Sequence, residues 1–356
     1  MVRGNGSQAA LVVVGVDTHK DEHVAVAVDH MGVRLCERRV ATTIPGATDL
    51  ERWACGLGEM VAFGIEGTGS YGAGLSRFLT GRGYTVVEVN RPDRSVRRRN
   101  GKSDPTDAEM AARAVLAGVA RTTPKSGMDQ VEMLRMLRTT RNSALKARTQ
   151  AMNQMQSLIV TAPSALREAL RGFTATRLVD RCARLRPGEL ATPTAVAKYA
   201  LRLLALRCQQ LTVEMEALEK EMTRLTKQVA PALLQVFGVG TNTAATLLIT
   251  AGSNHQRLKS EASFAALCGA SPLPASSGRT NRHRLNRGGD RQANAALYRI
   301  VIVRLRYDAR TVTYMKRRVG EGMTKAEVIR CLKRYVAREV FGVLRMEREN
   351  ALLEVA

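Results

Sequence analysis

The sequence predicts an α/β domain with a mixed sheet, followed by a long helical hairpin and a mainly α C-terminal domain. Three observations carry this. Near the N-terminus, three strand-like apolar runs follow one another and then alternate with helical segments, the pattern of an α/β layer with both strand directions. From about 128 to 232 no strand signal occurs, while Leu and Met recur at helical spacing. Beyond 233 the pattern is again helical, interrupted by one Ser/Gly/Arg-rich loop.

Residues 1–10 are small and polar and read as disordered. The first domain then spans 11–125. LVVVGVD is a buried strand ending in Asp17, HVAVAVD a second, and GVRLCERRV a third after the turn at His30–Gly32. A helix is expected from about Thr48 to Leu57. VAFGIE is a fourth strand ending in Glu66, SYGAGLSRFLTGRG a helix, and YTVVEVN a fifth strand. RPDRSVRRRNGK makes a basic loop, and SDPTDAEMAARAVLAG a further helix.

The middle region, 126–232, contains VEMLRMLRTTRNSALKARTQAMNQMQSLIV and VAKYALRLLALRCQQLTVEMEALEKEMTRLTKQV, with Pro163, Pro187 and Pro193 between them. These read as two long antiparallel helices whose spacing suits a coiled coil. Such a hairpin is either a plain spacer or a dimerisation arm. The last domain, 233–345, opens with LLQVFGVGTNTAATLLITAG, passes through the loop at 271–291, and ends in two helices rich in Arg and Lys. Residues 346–356 form a tail.

With 356 residues and 45% hydrophobic content, the chain can bury a real core. Its 55 Lys and Arg against 32 Asp and Glu leave a net charge of +23, which points to a polyanionic partner, nucleic acid first. A membrane surface is the rival polyanion. No run approaches 18 apolar residues, the stretch Leu11 to Val16 is far too short to span a bilayer, and no signal peptide is evident. The six cysteines are scattered without a CxxC pair, and the five histidines form no ligand-spaced cluster with them. That usage fits reduced thiols in a cytoplasmic protein.

Asp17 and Glu66 end the first and fourth strands. Where those strands are neighbours, as in ribonuclease-H-like sheets, the two carboxylates face each other at one sheet edge. Asp104 and Asp107, three apart at a helix start, share one face. Four acids at element ends suit one or two hard cations such as Mg²⁺ or Mn²⁺, and two-metal chemistry on a phosphodiester. A structural alternative exists for the helix pair: Asp104 as cap, Pro105 at the first position and Asp107 in the first turn.

A competing motif overlaps the site. Gly67-Thr-Gly69-Ser-Tyr-Gly72 matches GxGxxG between a strand and a helix, with Glu88 further on, the setting of a dinucleotide site. However, it follows the fourth strand, and Glu66 at its head would repel pyrophosphate. The glycines read better as a tight turn beside the acids.

Arg91, Arg94, Arg97, Arg98, Arg99 and Lys102 lead into the Asp104 helix and would draw phosphate towards the acids. Arg279, Arg282, Arg284, Arg287 and Arg291 cluster in and around the second loop. Phe237-Gly238-Val239-Gly240 resembles a helix-hairpin-helix turn whose amides hold a phosphate, and equally fits a helix C-cap followed by a tight turn. Lys316, Arg317, Arg318, Lys325, Lys333 and Arg334 extend the basic surface. Aromatics make up only 4%, so contacts should fall mostly on the nucleic-acid backbone.

Taken in order, these segments resemble the DEDD-type bacterial insertion-sequence transposases, the family conventionally numbered one hundred and ten, whose first domain is RuvC-like. The resemblance rests on VGVDTHKDEHVAVAVD, GIEGTGSYGAGLSRFL and VNRPDRSVRRRNGKSDPTDAEMAARAVLAG in the first domain. In the last domain it rests on LLQVFGVGTNTAATLLI, FAALCGASPLPASSGRTNRHRLNRGGDRQANAALYR and KRRVGEGMTKAEVIRCLKRYVAREVF. It covers nearly the whole chain. It implies a RuvC/ribonuclease-H-like first domain with a metal site of Asp17, Glu66, Asp104 and Asp107. It also implies a serine in the last domain that attacks DNA and becomes linked to it. SSG offers Ser276 and Ser277, and the family serine stands directly before glycine, which favours Ser277. Without the resemblance the same loop reads as solvated or phosphate-binding, since no His–Asp pair is at hand to activate a serine, although His283 lies in the loop.

The resemblance further implies a structured non-coding RNA partner that pairs with donor and target DNA. The expectation is therefore a transposase or site-specific recombinase of an insertion sequence, bound to DNA and RNA as a homo-dimer or tetramer, in the cytoplasm at the nucleoid. A Holliday-junction-type endonuclease without a covalent intermediate, and a non-catalytic nucleic-acid-binding scaffold, are the alternatives.

Overall fold

The register of β1 decides the architecture of the first domain. In the computed structural model, which describes residues 10–89, 103–252, 258, 260–275 and 283–353, β1 (Leu11–Thr18) pairs with β2 (Glu22–Asp29) on one side and β4 (Glu59–Glu66) on the other. β3 (Arg34–Ala41) and β5 (Val86–Val89) complete the order β3-β2-β1-β4-β5. The first three strands are antiparallel neighbours, while β4 runs parallel to β1 and β5 parallel to β4. This is the mixed sheet expected from the sequence.

Both faces of β1 are covered, which explains why its sequence is a continuous apolar run rather than an alternating one. Val12, Val14 and Val16 pack with Ala25, Ala27, Phe63 and Ile65 under α1 (Ile44–Cys55) and α2 (Ala73–Gly81). Val13 and Val28 meet Ala112 and Val115 of α3 (Asp104–Leu116) on the opposite face. Two helix starts differ from expectation. α1 begins at Ile44 rather than near Thr48, because the Thr43 side chain accepts from the Gly46 amide at 3.2 Å with Pro45 in the first turn. α2 begins only at Ala73, because residues 67–72 form a closed turn.

The chain divides into two compact units, residues 1–129 with 252–259, and 130–251 with 260–356. In the second, α4 (Gln130–Thr161) and α7 (Pro193–Val229) lie antiparallel. Arg141 pairs with Glu219 at 3.1 Å, and further along Ala151 and Met155 pack with Leu201 and Ala205. The proline-punctuated gap between them holds two short helices, α5 (Ser164–Ala169) and α6 (Ala175–Ala183). Leu166, Leu178, Val179 and Cys182 from these helices close the end of the hairpin.

α8 (Pro231–Gln235), α9 (Thr241–Ala251), α10 (Glu261–Leu267), α11 (Arg291–Tyr307), α12 (Ala309–Gly320) and α13 (Lys325–Leu353) follow. α11 packs on α9 and α13, burying Leu247, Leu297, Ile300, Val301 and Val340. The loop at 271–291 is not wholly irregular. β6 (Leu273–Pro274) and β7 (His283–Arg284) pair antiparallel across its stem. Among the described residues, no helix is long and apolar enough to cross a membrane.

Candidate functional site

Strand register brings the first two acids together. Val16 and Ile65 are partners across the parallel β1–β4 pair, so Asp17 and Glu66 follow at the same level at one end of the sheet. Strand alternation places Asp17 on the face of Gly15, and Glu66 on the face of Gly64. Both glycines lie against the backbone of α3, so the two acids look towards that helix. The Thr18 hydroxyl donates to the Glu66 carbonyl at 2.8 Å and ties the two strand ends.

The third and fourth acids come from the start of α3. The cap of that helix is Ser103, whose hydroxyl accepts from the Thr106 amide at 3.4 Å, with Pro105 in the first turn. The sequence alternative that made Asp104 the cap is thereby corrected: Asp104 is the first helical residue, one place too late. Its carboxylate is released from capping and points elsewhere. Asp107, one turn position on, is only 3% exposed.

These placements converge around Asp17, itself 9% exposed. His19 Nε2 lies 3.2 Å from Asp17 Oδ2 and 3.5 Å from Asp104 Oδ1. One ligand atom from each of Asp17, His19 and Asp104 falls within 4.8 Å of the others. Burial pushes the Asp17 carboxyl above its ordinary pKa, and the charges of Asp107 and Asp104 push the same way, while His19 opposes them. A buried carboxylate that faces two further acids is a place where a cation is stabilised. Carboxylate oxygens are the ligands that Mg²⁺ and Mn²⁺ prefer, so the donor chemistry fits either ion. The structure therefore joins Asp17 and Asp104 directly, with Asp107 close enough to act on Asp17, and sets Glu66 at the same sheet end outside the group of three.

The sequence does not single out His19, because its histidines form no ligand-spaced cluster with the cysteines. The available signal was its position two residues after Asp17, just past the strand end.

The glycine motif behind Glu66 folds onto itself. Gly67, at φ 70°, accepts through its carbonyl from the amides of Ser70 and Gly72 at 2.8 and 3.1 Å, and Ala73 N donates to Ser70 O at 3.1 Å. Amides that would cradle a pyrophosphate are thus engaged within the turn. A side chain at Gly72 would press within 3.0 Å of the Glu66 carbonyl, so this turn also packs closely against the acid-bearing strand end.

In the last domain, Ser276, Ser277, Arg279 and Arg282 lie outside the described residues, as do Arg91, Arg94, Arg97, Arg98, Arg99 and Lys102. The chain enters and leaves the serine segment through the β6–β7 stem. Arg284, Arg287 and Arg291 are exposed just after it. Asp290 caps α11 by accepting from Gln292 N at 2.7 Å and Ala293 N at 3.2 Å, and also accepts from the Thr250 hydroxyl at 2.9 Å. In the turn before α9, Gly238 has φ 86° and packs against the Ile300 carbonyl. Gly240 N donates to the Thr243 hydroxyl oxygen at 2.9 Å, and Arg304 donates to the Phe237 carbonyl at 2.9 Å. One of the amides a phosphate would use is therefore engaged within the protein.

Two family models match the chain, one from the first domain into the long helix α4 and one in the last domain. Residues 14–162 match the DEDD transposase family of IS110 type, and residues 230–316 match the Transposase IS116/IS110/IS902 family. The chain is 25% identical to the uncharacterized 42 kDa protein of insertion element IS900 from Mycobacterium paratuberculosis, over 94% of this chain and 96% of that protein. It is 30% identical, over 163 residues, to the uncharacterized 43.6 kDa protein of insertion element IS110 from Streptomyces coelicolor, covering 45% of this chain and 38% of that one.

Proposed function

Because the chain belongs to the IS110 family of insertion-element transposases, we propose that it cuts and rejoins DNA through its acidic centre and a serine nucleophile, Ser277. The observation that carries this reading is the meeting of Asp17, His19 and Asp104 where β1 ends and α3 begins. Asp17, Asp104, Asp107 and Glu66 would hold Mg²⁺ or Mn²⁺, and such an ion, when bound, neutralises charge on a phosphodiester and on the oxygen that leaves it.

The remaining roles belong to the protein's own groups. Ser277 Oγ gives up its proton and forms a bond to phosphorus, the bridging P–O bond of the strand breaks, and the departing oxygen takes up a proton. A hydroxyl of a second strand later displaces the serine, so the number of phosphodiester bonds is conserved. The basic residues before α3 and around the serine stem hold the strand by its phosphates. A structured RNA supplies sequence recognition by base pairing, which asks of the protein only backbone-binding charge, and the +23 balance with 4% aromatics supports this.

The protein acts as a homo-oligomer, dimer or tetramer, since strand exchange requires several cuts. α7 offers a surface for it: Val196, Tyr199, Leu203, Leu206 and Val213 are exposed at the 3–4 spacing of a coiled-coil seam.

The test is a protein–DNA adduct that survives denaturation. Wild-type protein should form it with element-end DNA, whereas Ser277→Ala and Asp17→Ala should not. Cut ends without any adduct would mean hydrolysis by a nuclease. Unimpaired activity of Asp17→Ala in cells would mean a scaffold. Loss of the adduct in Ser276→Ala but not in Ser277→Ala would move the nucleophile by one residue. Sequencing the nucleic acid that copurifies with the protein tests the RNA.

A further inference from the structure

The second unit contains a cleft of about 930 Å³ between residues 269–272, β7 and the first half of α13. Arg284 and Leu285 stand on one side, and Arg330, Lys333 and Tyr335 on the other. Its cations differ in how they are satisfied. Arg334 donates to both carboxylate oxygens of Glu261, at 2.9 and 2.8 Å, and Arg338 donates to the same group. Arg330 reaches Glu327 only at 3.7 Å, between exposed side chains.

Lys333 has no such relief. Its ammonium donates to Asn294 Oδ1 at 2.9 Å, and among the described residues it makes no ion pair. Burial pushes its pKa down, and Arg330 adds repulsion. A half-buried cation repelled by a like charge, and without an ion pair among the described residues, is unfavourable, and an anion entering the cleft would offset that. The floor that holds Lys333 is closely packed and hydrogen-bonded. The Asn294 amide donates to the carbonyls of Cys268 and Gly269 at 2.9 and 3.0 Å, and Gly289 crosses Gly269 so closely that a Cβ there would lie 2.3 Å from the Gly269 nitrogen.

Apolar groups line the cleft beside these cations. Tyr335 is 51% exposed, and its ring is fixed by Tyr314, edge-on at 5.7 Å and 88°. Leu285 is likewise exposed across from it. An immobilised ring beside an unpaired cation is what a nucleotide needs once its base has left the stack: a surface for the base and a charge for the phosphate. In a chain with only 4% aromatics, such a ring is scarce. The cleft also adjoins the β6–β7 stem through which the chain reaches Ser277.

We propose that this cleft binds one unstacked nucleotide of a nucleic-acid strand, with its phosphate on Lys333 and Arg330 and its base against Tyr335 and Leu285. The proposal deepens the reading above, in that the captured strand is the one presented to the serine loop. Its test is binding rather than cutting, so it fails or stands independently of Ser277.

The experiment uses full-length Tyr335→Trp, with the single native Trp53 as a constant background measured in unsubstituted protein. A single-stranded oligodeoxynucleotide, the RNA of the same sequence, a duplex, and an abasic strand carrying the same phosphates are titrated in turn. At least one of the base-bearing single strands should quench the introduced indole, and whichever does so at lower concentration names the natural source. The duplex and the abasic strand should leave it unquenched. Lys333→Ala in this background should weaken the quenching strand roughly tenfold, the equivalent of about 1.4 kcal/mol. As a second readout, 2-aminopurine in the oligonucleotide should change emission with wild-type protein and not with Tyr335→Ala. Quenching by the abasic strand equal to that by base-bearing strands, a silent 2-aminopurine signal, or undiminished binding in Lys333→Ala would overturn the proposal.

Discussion

Gly15 and Gly64 are register partners across the parallel β1–β4 pair, and each stands two residues before a carboxylate, Asp17 or Glu66. A methyl group at Gly15 would lie 1.9 Å from the Ala108 carbonyl oxygen and 2.4 Å from the Ala112 nitrogen. At Gly64 it would lie 2.7 Å from Val115 Cγ2 and 3.0 Å from the Ala111 carbonyl. The missing side chains let α3 rest directly on the sheet, and that contact sets the height at which Asp104 meets Asp17.

Gly15→Ala should therefore damage both the fold and the chemistry. Overpacking of this kind costs about 1–3 kcal/mol, and displacing α3 by roughly an ångström should reduce adduct formation by about a hundredfold. Gly64→Ala should be milder, because its closest neighbour is the end of the Val115 side chain. Denaturant midpoints and the adduct assay measure the two effects. A Gly15→Ala protein as stable and active as wild type would remove the glycine pair from the account.

Ser103 and Asp104 should separate stability from function. Loss of the Ser103 cap in Ser103→Ala should cost about 1 kcal/mol. Asp104→Asn keeps the shape of the first helical residue and should change stability by a few tenths of a kcal/mol at most, the scale of a helix-dipole charge, while abolishing adduct formation. If Asp104→Asn destabilises the fold more than Ser103→Ala does, the carboxylate has a structural role instead.

Much of this site was legible because strand ends leave marks in a sequence. The runs LVVVGVD and VAFGIE each stop at an acid, and parallel pairing then needs only the correct register to make Asp17 and Glu66 neighbours. The role of His19 was hidden, since nothing local says that a residue just beyond β1 will face the start of a helix 85 positions later. The cap was misplaced by one residue because Ser103 and Asp104 are both good caps, and only backbone geometry decides between them. The β6–β7 stem leaves no mark in the sequence, because two-residue strands are too short to show alternation. The cleft around Lys333 assembles from segments near 270, 285 and 333, so no single stretch announces it.

Glu261 gives the second unit a predictable acid response. Hydrogen bonds from Arg334 and then Arg338 pull its carboxyl down from an ordinary 4.5 to about 2. A depressed carboxyl adds stability above its unfolded pKa and loses it as pH falls towards the folded one. The difference in melting temperature between wild type and Glu261→Gln should therefore be constant from pH 7 to about 5. It should shrink below 4.5 and vanish near 2. A difference that persists unchanged at pH 2 would mean that shape, not charge, holds α10 to α13.

The exposed seam of α7 makes a prediction about the partner copy and its direction. Val196, Tyr199, Leu203, Leu206 and Val213 keep the heptad spacing, with Gln210 at the remaining position. Arg202 and Arg207 flank its first half, and Glu214 and Glu216 its second. Two copies laid antiparallel would bring unlike charges together, whereas parallel copies would oppose like charges, so the proposed pair is expected to run antiparallel. Leu203→Glu with Leu206→Glu should halve the mass measured by light scattering. Arg202→Glu with Arg207→Glu should weaken association, and adding Glu214→Arg with Glu216→Arg to the same chain should restore it. An unchanged mass in the leucine variant would exclude α7 as the interface, and failure of the charge exchange to restore association would exclude the antiparallel arrangement.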